Sequence, residues 1–335
     1  MAIPNTLNPL KIPDFNGDGR TDLFSFNPNT GVAQITLKDG VRSLGSSSLP
    51  ASSRDWQPSN FGDFNGDRKT DLVWRNTKTG GTEIWLINGT SIQTKSRPET
   101  LQGNWTEKIG DFDADGKSDF FWYNSTTGDY KVWLMNGVQR VKQSSGEIGA
   151  GWEVAIADFN NDQQTDLFLR NPLTGENAVA TIDLETLAIK VESTRSKSPT
   201  SISEIIDFNG DGRSDVFWRD RLTGQNQLWV WSTDLQPLSL QFSLPGRSRD
   251  FVIKTADFDG NGKTDFLVRN PSSGVNQVWL SGTALEISSI ATQPPGFQPT
   301  IGDYNGDGFS DIRWTSTDAT QSTVWFSNGT LPQAQ

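Results

Sequence analysis

The sequence contains no cysteine and no histidine among its 335 residues, and it has only two methionines and three tyrosines. Without cysteine the chain cannot form disulfides, thiolate metal sites or cysteine nucleophiles. Without histidine it cannot use histidine-based acid–base catalysis or bind haem through histidine. No apolar run reaches the roughly 18 residues of a membrane-spanning helix.

Basic residues are in the minority, with 29 Lys and Arg against 40 Asp and Glu and a net charge of −11. A nucleic-acid-binding protein needs a basic surface that replaces counterions on the phosphates, so we expect no nucleic-acid partner. Residues 1–16 show neither the charged region nor the apolar region of a signal peptide. We therefore expect either an intracellular protein or a mature fragment of a secreted one.

One segment recurs seven times at separations of 49, 48, 47, 49, 50 and 46 residues. The copies are DFNGDGRTDLF from Asp14, DFNGDRKTDLV from Asp63, DFDADGKSDFF from Asp111, DFNNDQQTDLF from Asp158, DFNGDGRSDVF from Asp207, DFDGNGKTDFL from Asp257 and DYNGDGFSDIR from Asp303. Seven copies account for the whole chain. They predict a single repeat domain over residues 1–335, although the length alone would suggest about two domains.

Each repeat has the pattern of four short strands. In the fourth copy, WEVAIA from Trp152 precedes the Asp-rich loop, and LFLR from Leu167 follows it. A turn from Asn171, a short apolar strand and LAIKV from Leu187 complete the repeat. Four strands per 40–50 residues are typical of a propeller blade. We predict an all-β, seven-bladed β-propeller with four antiparallel strands per blade. The alternative, an open β-solenoid, needs shorter repeats and capping ends.

The closure of the last blade has two candidates at the sequence level. Ala2–Thr6 is predicted to pair with the last blade as its closing strand. The ten residues after Trp325 are enough for a turn and a short outer strand, so the C-terminal tail is the alternative.

The recurrent loop has the pattern D-x-[DN]-x-[DN]-G-x-[ST]-D. Side-chain oxygens at positions 1, 3, 5 and 9, with a backbone carbonyl at position 7, provide about six oxygen ligands, which suits Ca²⁺. Gly at position 6 permits a left-handed turn. An EF-hand begins alike but needs Glu at position 12 and flanking helices. Here position 12 is Ser, Trp, Leu or Val and the flanks are strands, so the EF-hand interpretation fails.

The repeats resemble the FG-GAP/VCBS family, whose calcium-binding blades also form the head propeller of integrin α-subunits. Ile109-Gly110-Asp111, Phe61-Gly62-Asp63 and Ile301-Gly302-Asp303 echo the FG start of that family. The resemblance implies one Ca²⁺ in each loop, up to seven, between the two inner strands of a blade. The ligands that it implies are Asp14, Asn16, Asp18, Asp22, Asp63, Asn65, Asp67, Asp71, Asp111, Asp113, Asp115, Asp119, Asp158, Asn160, Asp162, Asp166, Asp207, Asn209, Asp211, Asp215, Asp257, Asp259, Asn261, Asp265, Asp303, Asn305, Asp307 and Asp311.

Two loops depart from the family pattern at position 6, where Arg68 and Gln163 replace glycine. A non-glycine residue in a left-handed conformation costs about 1 kcal/mol. We therefore expect these two loops to bind calcium more weakly than the other five, or to stay empty.

Large flat side chains recur at fixed positions and have two interpretations. They could fill the wedges between adjacent blades, or some rings could be exposed and stack on sugars. The two main sets are Trp74, Trp122, Trp218 and Trp314, and Trp85, Trp133, Trp229, Trp279 and Trp325. Arg75, Arg170, Arg219 and Arg269 either hydrogen-bond between blades or form a polar clamp for a glycan or an acidic ligand. Thr36, Ala180 and Ser201 interrupt the aromatic sets, which predicts either pockets or relaxed packing there.

Three functional classes remain open: a calcium-stabilised recognition or adhesion module for a glycan or a protein, a scaffold within a larger surface protein, and a polysaccharide-active enzyme. The near-equivalence of the repeats leaves little unique material for an active site. We therefore expect a non-enzymatic, lectin-like monomer with calcium as its only cofactor. Because cytosolic calcium is scarce, seven sites favour an extracellular or cell-surface location.

Overall fold

The computed structural model of the chain describes residues 13–49, 53–231, 237–238, 250–282, 285–329 and 331–334. All regular elements in these ranges are β-strands, numbered β1 to β27 in chain order. The described part of the chain contains no helix that is long and apolar enough to cross a membrane.

The strands form seven antiparallel sheets, and each sheet is a meander of consecutive strands. Sheet 1 consists of β1 Leu23–Asn27, β2 Val32–Asp39 and β3 Arg42–Leu49. Sheet 2 consists of β4 Trp56–Gly62, β5 Asp71–Asn76, β6 Thr82–Asn88 and β7 Ser91–Ser96. Sheet 3 consists of β8 Trp105–Gly110, β9 Asp119–Asn124, β10 Asp129–Asn136 and β11 Gln139–Glu147. Sheet 4 consists of β12 Glu153–Ala157, β13 Asp166–Arg170, β14 Asn177–Ile182 and β15 Ile189–Ser193.

The last three sheets have the same order. Sheet 5 consists of β16 Ser201–Ile206, β17 Asp215–Asp220, β18 Asn226–Trp231 and β19 Pro237–Leu238. Sheet 6 consists of β20 Val252–Ala256, β21 Asp265–Arg269, β22 Asn276–Leu280 and β23 Glu286–Ile290. Sheet 7 consists of β24 Phe297–Gly302, β25 Asp311–Ser316, β26 Ser322–Phe326 and β27 Gln333–Ala334.

These seven sheets are the blades of a seven-bladed β-propeller, which confirms the predicted fold class. Each repeat of about 48 residues closes its own meander, whereas a solenoid would stack shorter coils. Burial explains the pattern within a sheet. The second strand is an apolar run that is buried along its length, as in β13, whereas the fourth strand is polar and largely exposed, as in β11.

By its internal contacts the chain divides into two compact units. The first comprises Met1–Gly17, Asp22–Leu37 and Leu44–Pro199, and the second comprises Asp18–Thr21, Lys38–Ser43 and Thr200–Gln335. The first unit therefore holds sheets 2 to 4 and most of sheet 1, and the second holds sheets 5 to 7. The single domain over residues 1–335 stays a prediction.

The tryptophan sets lie in the hydrophobic cores. In the first unit, Trp122 and Trp133 pack in one cluster with Phe64, Val73 and Ile84 of the preceding repeat. In the second unit, Trp314 and Trp325 pack with residues of sheet 6. The nine tryptophans of the two sets are each at most 5% exposed. This confirms the wedge-filling interpretation for both sets and leaves no face of these rings to stack on a sugar from solvent.

The tail after Trp325 supplies the fourth strand of sheet 7. Trp325 pairs with Ala334, and Phe326 pairs with Gln333, in the antiparallel pair β26–β27. The sequence alternative in which the C-terminal tail provides an outer strand is thus confirmed. The other candidate, Ala2–Thr6, lies outside the described residues.

Candidate metal loops and sheet junctions

The Asp-rich loops occupy the same place in every repeat. In sheets 2 to 7 each loop connects the first strand to the second, and its position-9 aspartate is the first residue of the second strand. The first loop, residues 14–22, directly precedes β1. The location between two neighbouring strands that the family resemblance implied is therefore observed in six sheets.

Two residues of every loop have left-handed backbone. Position 6 has φ between 63° and 87° in all seven loops, including 63° at Arg68 and 70° at Gln163. The predicted left-handed turn is therefore present with or without glycine. Position 4 is also left-handed, with φ of 58° at Ala114 and 60° at Asn161 and glycine in the other five loops. The sequence reasoning missed position 4, although glycine recurs there.

Hydrogen bonds from backbone N–H groups hold the loop carboxylates in place. In the second loop, Asp63 accepts from Gly66 N at 2.7 Å through Oδ1 and from Arg68 N at 2.7 Å through Oδ2. Asp67 Oδ1 accepts from Lys69 N at 3.0 Å. The position-6 to position-1 bond recurs at 2.8–3.0 Å from Gly116, Gln163, Gly212, Gly262 and Gly308. Replacing glycine at position 6 therefore leaves this bond intact.

The position-9 aspartate is buried in all seven loops, and in five of them, at Asp71, Asp119, Asp215, Asp265 and Asp311, it holds two segments of backbone. Asp71 accepts from Phe64 N at 2.9 Å through Oδ2 and from Ile87 N at 2.9 Å through Oδ1. Asp119 accepts in the same way from Phe112 N at 3.0 Å and from Met135 N at 2.7 Å. This carboxylate therefore fastens the start of the loop to the third strand of its sheet. A carboxylate oxygen retains a second lone pair, so these bonds leave capacity for a metal ion.

Burial raises the pKa of the position-9 carboxyls, and the neighbouring aspartates raise it further. The pKa reaches about 8 at Asp119, and about 7 at Asp71 and Asp166. It reaches about 7 at Asp215 and Asp265 and about 6 at Asp311. A buried carboxyl beside other carboxyls favours its neutral form, and a cation placed among them would reverse that preference.

Two loops bring three carboxylates close together. Oxygens of Asp111, Asp113 and Asp115 lie within 4.8 Å of one another, as do oxygens of Asp257, Asp259 and Asp265. Ligand oxygens lie about 2.3–2.6 Å from Ca²⁺, so two ligands of one ion are at most about 5 Å apart. The donor set consists of oxygens alone, which suits a hard cation. The residues present therefore fit Ca²⁺, and metal binding by the 28 predicted ligands stays a prediction.

Position 8 connects each loop to the preceding one. Asp63 N donates to Ser118 Oγ at 2.8 Å, and Ser118 N donates to the Asp63 carbonyl at 2.7 Å. The same pair of bonds joins Thr70 to Asp14, Thr264 to Asp207 and Ser310 to Asp257. We call this pair of hydrogen bonds between position 8 and position 1 of the preceding loop the clip. A Cβ added at Gly62 would lie 2.8 Å from Ser118 Oγ, so the closeness of the clip explains why glycine stands before Asp63. In the sequence, the only sign of the clip is the recurrence of Ser or Thr at position 8.

Position 7 places a cation beside most of the acidic loops. Lys117 Nζ lies 2.7 Å from Asp115, and Lys69 Nζ lies 3.5 Å from Asp67. Arg20 and Arg213 make longer contacts, both 3.8 Å, with the position-5 aspartates of their own loops. These partly exposed pairs contribute little stability on their own. They do supply partial neutralisation of the loop carboxylates.

The four arginines at or near the ends of the second strands donate hydrogen bonds to neighbouring backbone and side-chain oxygens. Arg269 is 1% exposed and donates to Asn276 Oδ1 at 2.9 Å and to the Pro294 carbonyl at 2.9 Å. Its guanidinium also lies over the Trp314 ring at 4.8 Å. Arg75 donates to the Gly80 carbonyl and to Thr82 Oγ1, both at 2.7 Å. The hydrogen-bonding interpretation is confirmed for these residues, whose guanidinium groups are already engaged.

The interruptions of the aromatic sets have two different outcomes. Ala180 is fully buried within the cluster of sheets 3 and 4. Ser201 is also buried, but the residues that follow it in β16 line a cavity of about 440 Å³ together with β17 and β20. The predicted pocket therefore occurs beside Ser201, whereas the position of Ala180 is part of a buried core.

The fold and the loops define a β-propeller built from repeated Asp-rich loops. The model of the FG-GAP-like repeat matches residues 14–74, 111–169, 207–268 and 257–314, which cover more than half of the chain. The chain therefore belongs to the FG-GAP-like repeat family, as the motif resemblance implied. No curated protein matches the chain by sequence.

Solved structures with similar folds have diverse functions. An Agrocybe aegerita lectin, described as specifically recognising non-reducing terminal N-acetylglucosamine, is 13% identical with a TM-score of 0.72, over 94% of this chain and 90% of the lectin. Virginiamycin B lyase of Staphylococcus aureus is 11% identical with a TM-score of 0.51, over 91% and 94% of the two chains. The dihydro-heme d1 dehydrogenase NirN is 12% identical with a TM-score of 0.52, over 91% of this chain and 63% of the enzyme. At such identities these similarities show the fold alone.

Proposed function

We propose that this propeller is a non-enzymatic recognition module that calcium stabilises and that binds glycans. The observation that carries the calcium part is the sevenfold recurrence of an Asp-rich loop, in which backbone N–H groups fix the orientation of the position-1 carboxylate. The all-oxygen clusters at Asp111–Asp115 and at Asp257, Asp259 and Asp265 support it directly. The 28 predicted ligands would hold the ions, with the buried position-9 aspartate linking each ion site to the third strand.

When bound, Ca²⁺ would supply positive charge among carboxylates that otherwise repel one another. The chain's own residues supply the geometry. The position-1 carboxylate is fixed by the N–H groups of positions 4 and 6, and the backbone of the same residue is hydrogen-bonded to position 8 of the next loop. Because Arg68 and Gln163 keep the same backbone path, we propose that the second and fourth loops also bind calcium, with lower affinity because of backbone strain.

The proposal of glycan binding has weaker support than the proposal of calcium binding, because it rests on similarity of fold. The lectin from Agrocybe aegerita shares the fold over almost the whole chain. Virginiamycin B lyase and the dehydrogenase NirN have similar folds and are enzymes, so the fold does not exclude catalysis. The proposal that this chain is not an enzyme rests on the near-equivalence of its seven repeats. We further propose a single-domain monomer in an extracellular or cell-surface setting, where calcium is abundant enough to fill the loops.

The test is a glycan array that includes terminal N-acetylglucosamine, probed with labelled protein in millimolar calcium and again in chelator. The expected result is binding to a defined set of glycans in calcium and its loss in chelator. A blank array with protein that remains folded would contradict glycan recognition and favour a scaffold within a larger surface protein.

A further inference from the structure

A cavity of about 440 Å³ lies where sheet 5 meets sheet 6, within the second unit. Its lining comes from β16 and β17 of sheet 5 and from β20 with the residues that precede it. We call this cavity the junction pocket; it is lined by Ile202, Glu204, Phe217, Arg221, Asp250 and Phe251, among others. The volume lies within the range of about 300–1,000 Å³ that is usual for ligand sites.

Two other junctions that the structure describes carry different residues. Between sheets 6 and 7, Lys254 stands at the position of Glu204, and the corresponding arginine, Arg269, donates to the carbonyls of Gln293 and Pro294. Between sheets 2 and 3, Glu107 reaches across to Arg75, with 3.9 Å between the carboxylate and Nε. The set of residues that lines the junction pocket is therefore not repeated at these two junctions, in contrast to the repeated loops.

The inner end of the junction pocket carries a carboxyl group. Glu204 pairs with Phe217 across β16 and β17, so both side chains lie on the same face of sheet 5. Glu204 Oε1 accepts from Thr255 Oγ1 at 2.6 Å, which fixes the orientation of the carboxyl group. Burial raises the pKa of Glu204, as expected for a carboxyl group that is shielded from water.

The remainder of the junction pocket is apolar inside and charged at its mouth. Ile202, which is 37% exposed, and the half-buried Phe251 provide the accessible apolar surface, whereas the Phe217 ring is buried, and Arg221 and Asp250 are exposed at the rim. Two carboxylates and two guanidinium groups line the pocket once Arg219 is included. The charges therefore balance, and the pocket offers no net field to a strongly charged ligand.

We propose that the junction pocket binds one pyranose ring of a neutral glycan. A pyranose combines an apolar C–H face, which suits the Phe251 ring and the Ile202 side chain, with hydroxyl groups that can donate to a carboxyl oxygen and accept from a guanidinium. Glu204 and Arg221 are the groups that would form hydrogen bonds with adjacent hydroxyl groups of the sugar. This inference rests on the proposed glycan recognition and adds to it a single principal site.

The test uses the full chain in millimolar calcium and measures binding of the methyl glycosides of glucose, galactose and mannose by calorimetry. Glu204→Gln keeps the shape of the side chain and an oxygen that can accept from Thr255, but it replaces the second carboxyl oxygen with an amide that can only donate. Loss of this acceptor is expected to weaken binding by about tenfold. Arg221→Gln, at an exposed position that cannot disturb the core, should also weaken binding.

Ile202→Trp provides a second kind of evidence. Ile202 is 37% exposed, so an indole there can occupy the pocket without opening the core, and binding should be abolished. Glu107→Gln is the matched control, because it removes a carboxylate whose side chain is only 8% exposed, next to an arginine at the junction of sheets 2 and 3. This control should bind like the wild type, and the melting temperature of every variant verifies its folding.

The outcomes separate this inference from the proposed function. If Glu204→Gln and Arg221→Gln bind the glycosides more weakly than the wild type and Ile202→Trp does not bind them, the junction pocket is supported as the glycan site. Glycan binding on the array together with unchanged binding by all three variants overturns the junction pocket and leaves glycan recognition standing. No binding of the wild type to any glycan overturns both.

Discussion

The third and fourth loops follow the same backbone path with different side chains. Positions 4 and 6 are Ala114 and Gly116 in the third loop, with φ of 58° and 81°. They are Asn161 and Gln163 in the fourth loop, with φ of 60° and 70°. The position-6 N–H donates to the position-1 carboxylate at 2.8 Å and 2.9 Å in the two loops. The hydrogen bonds of the position-1 aspartate therefore determine the path, and glycine only lowers its strain.

The largest expected difference between the two loops is at position 9. Asp119→Asn should lower the free energy of unfolding by about 3 kcal/mol, because an amide has one acceptor oxygen and would turn its NH₂ toward either Phe112 N or Met135 N. Asp166→Asn should cost only about 1 kcal/mol, since among the described residues one N–H group, that of Phe159, donates to Asp166, at 3.1 Å. Denaturant unfolding in chelator measures both. Equal losses would contradict the role assigned to the second bond.

The dependence of stability on pH should change when calcium binds. In the metal-free protein the position-9 pKa is raised to about 8 at Asp119 and about 7 at Asp166, so the folded state binds more protons than the unfolded state. Stability should then fall as the pH rises from about 4 through about 8, by about 1.4 kcal/mol per pH unit for each such proton. With calcium bound the carboxylates are ionised, so stability should rise with pH only up to about pH 5, where the carboxyls of the unfolded state are also ionised, and should stay level from there to about pH 8. Thermal melts at several pH values, with calcium and with chelator, give both slopes, and parallel slopes would argue against carboxylate ligation.

Exchanging glycine and non-glycine residues at position 6 should exchange the backbone strain of the third and fourth loops. Gly116→Ala should destabilise the protein by about 1 kcal/mol, and Gln163→Gly should stabilise it by up to about 1 kcal/mol, through relief of left-handed strain. A Cβ at Gly116 meets nothing within 4 Å, so the backbone conformation alone is tested. Opposite changes in the unfolding midpoint would support this interpretation. A loss of stability in both variants would show that Gln163 has a contact of its own.

The smallest expected effect concerns the clip at position 8. Ser118→Ala removes the acceptor of the bond from Asp63 N, which is 2.8 Å long, and should cost about 1 kcal/mol. Ser125→Ala in the exposed turn of the same sheet is the matched control and should be neutral within about 0.5 kcal/mol. Denaturant unfolding compares them, and equal effects would remove the clip from the account.

The fold could be predicted from the sequence because its signals are local and repeated. Seven copies of the loop, alternating with apolar runs, are enough to give strands, blades and the position-6 turn. The roles of Ser118 and Gly62 could not be predicted, because they depend on contact between two repeats that are about 50 residues apart. The junction pocket was also beyond a firm prediction. Ser201, which replaces an aromatic residue, lies in β16, a strand that lines the pocket. Ala180 also replaces an aromatic residue, but its position is buried in the core and lines no such cavity.

The most direct test of the central claim is the number of calcium ions that the chelator-treated protein binds, measured by calorimetric titration together with its melting temperature. Binding of ions to the folded state alone raises stability, by about 2.7 kcal/mol for one site at a hundredfold excess over Kd. The account predicts several ions per chain, up to seven, and a melting temperature that chelator lowers by several degrees or more. Absence of bound calcium and the same melting temperature in chelator and in millimolar calcium would contradict it.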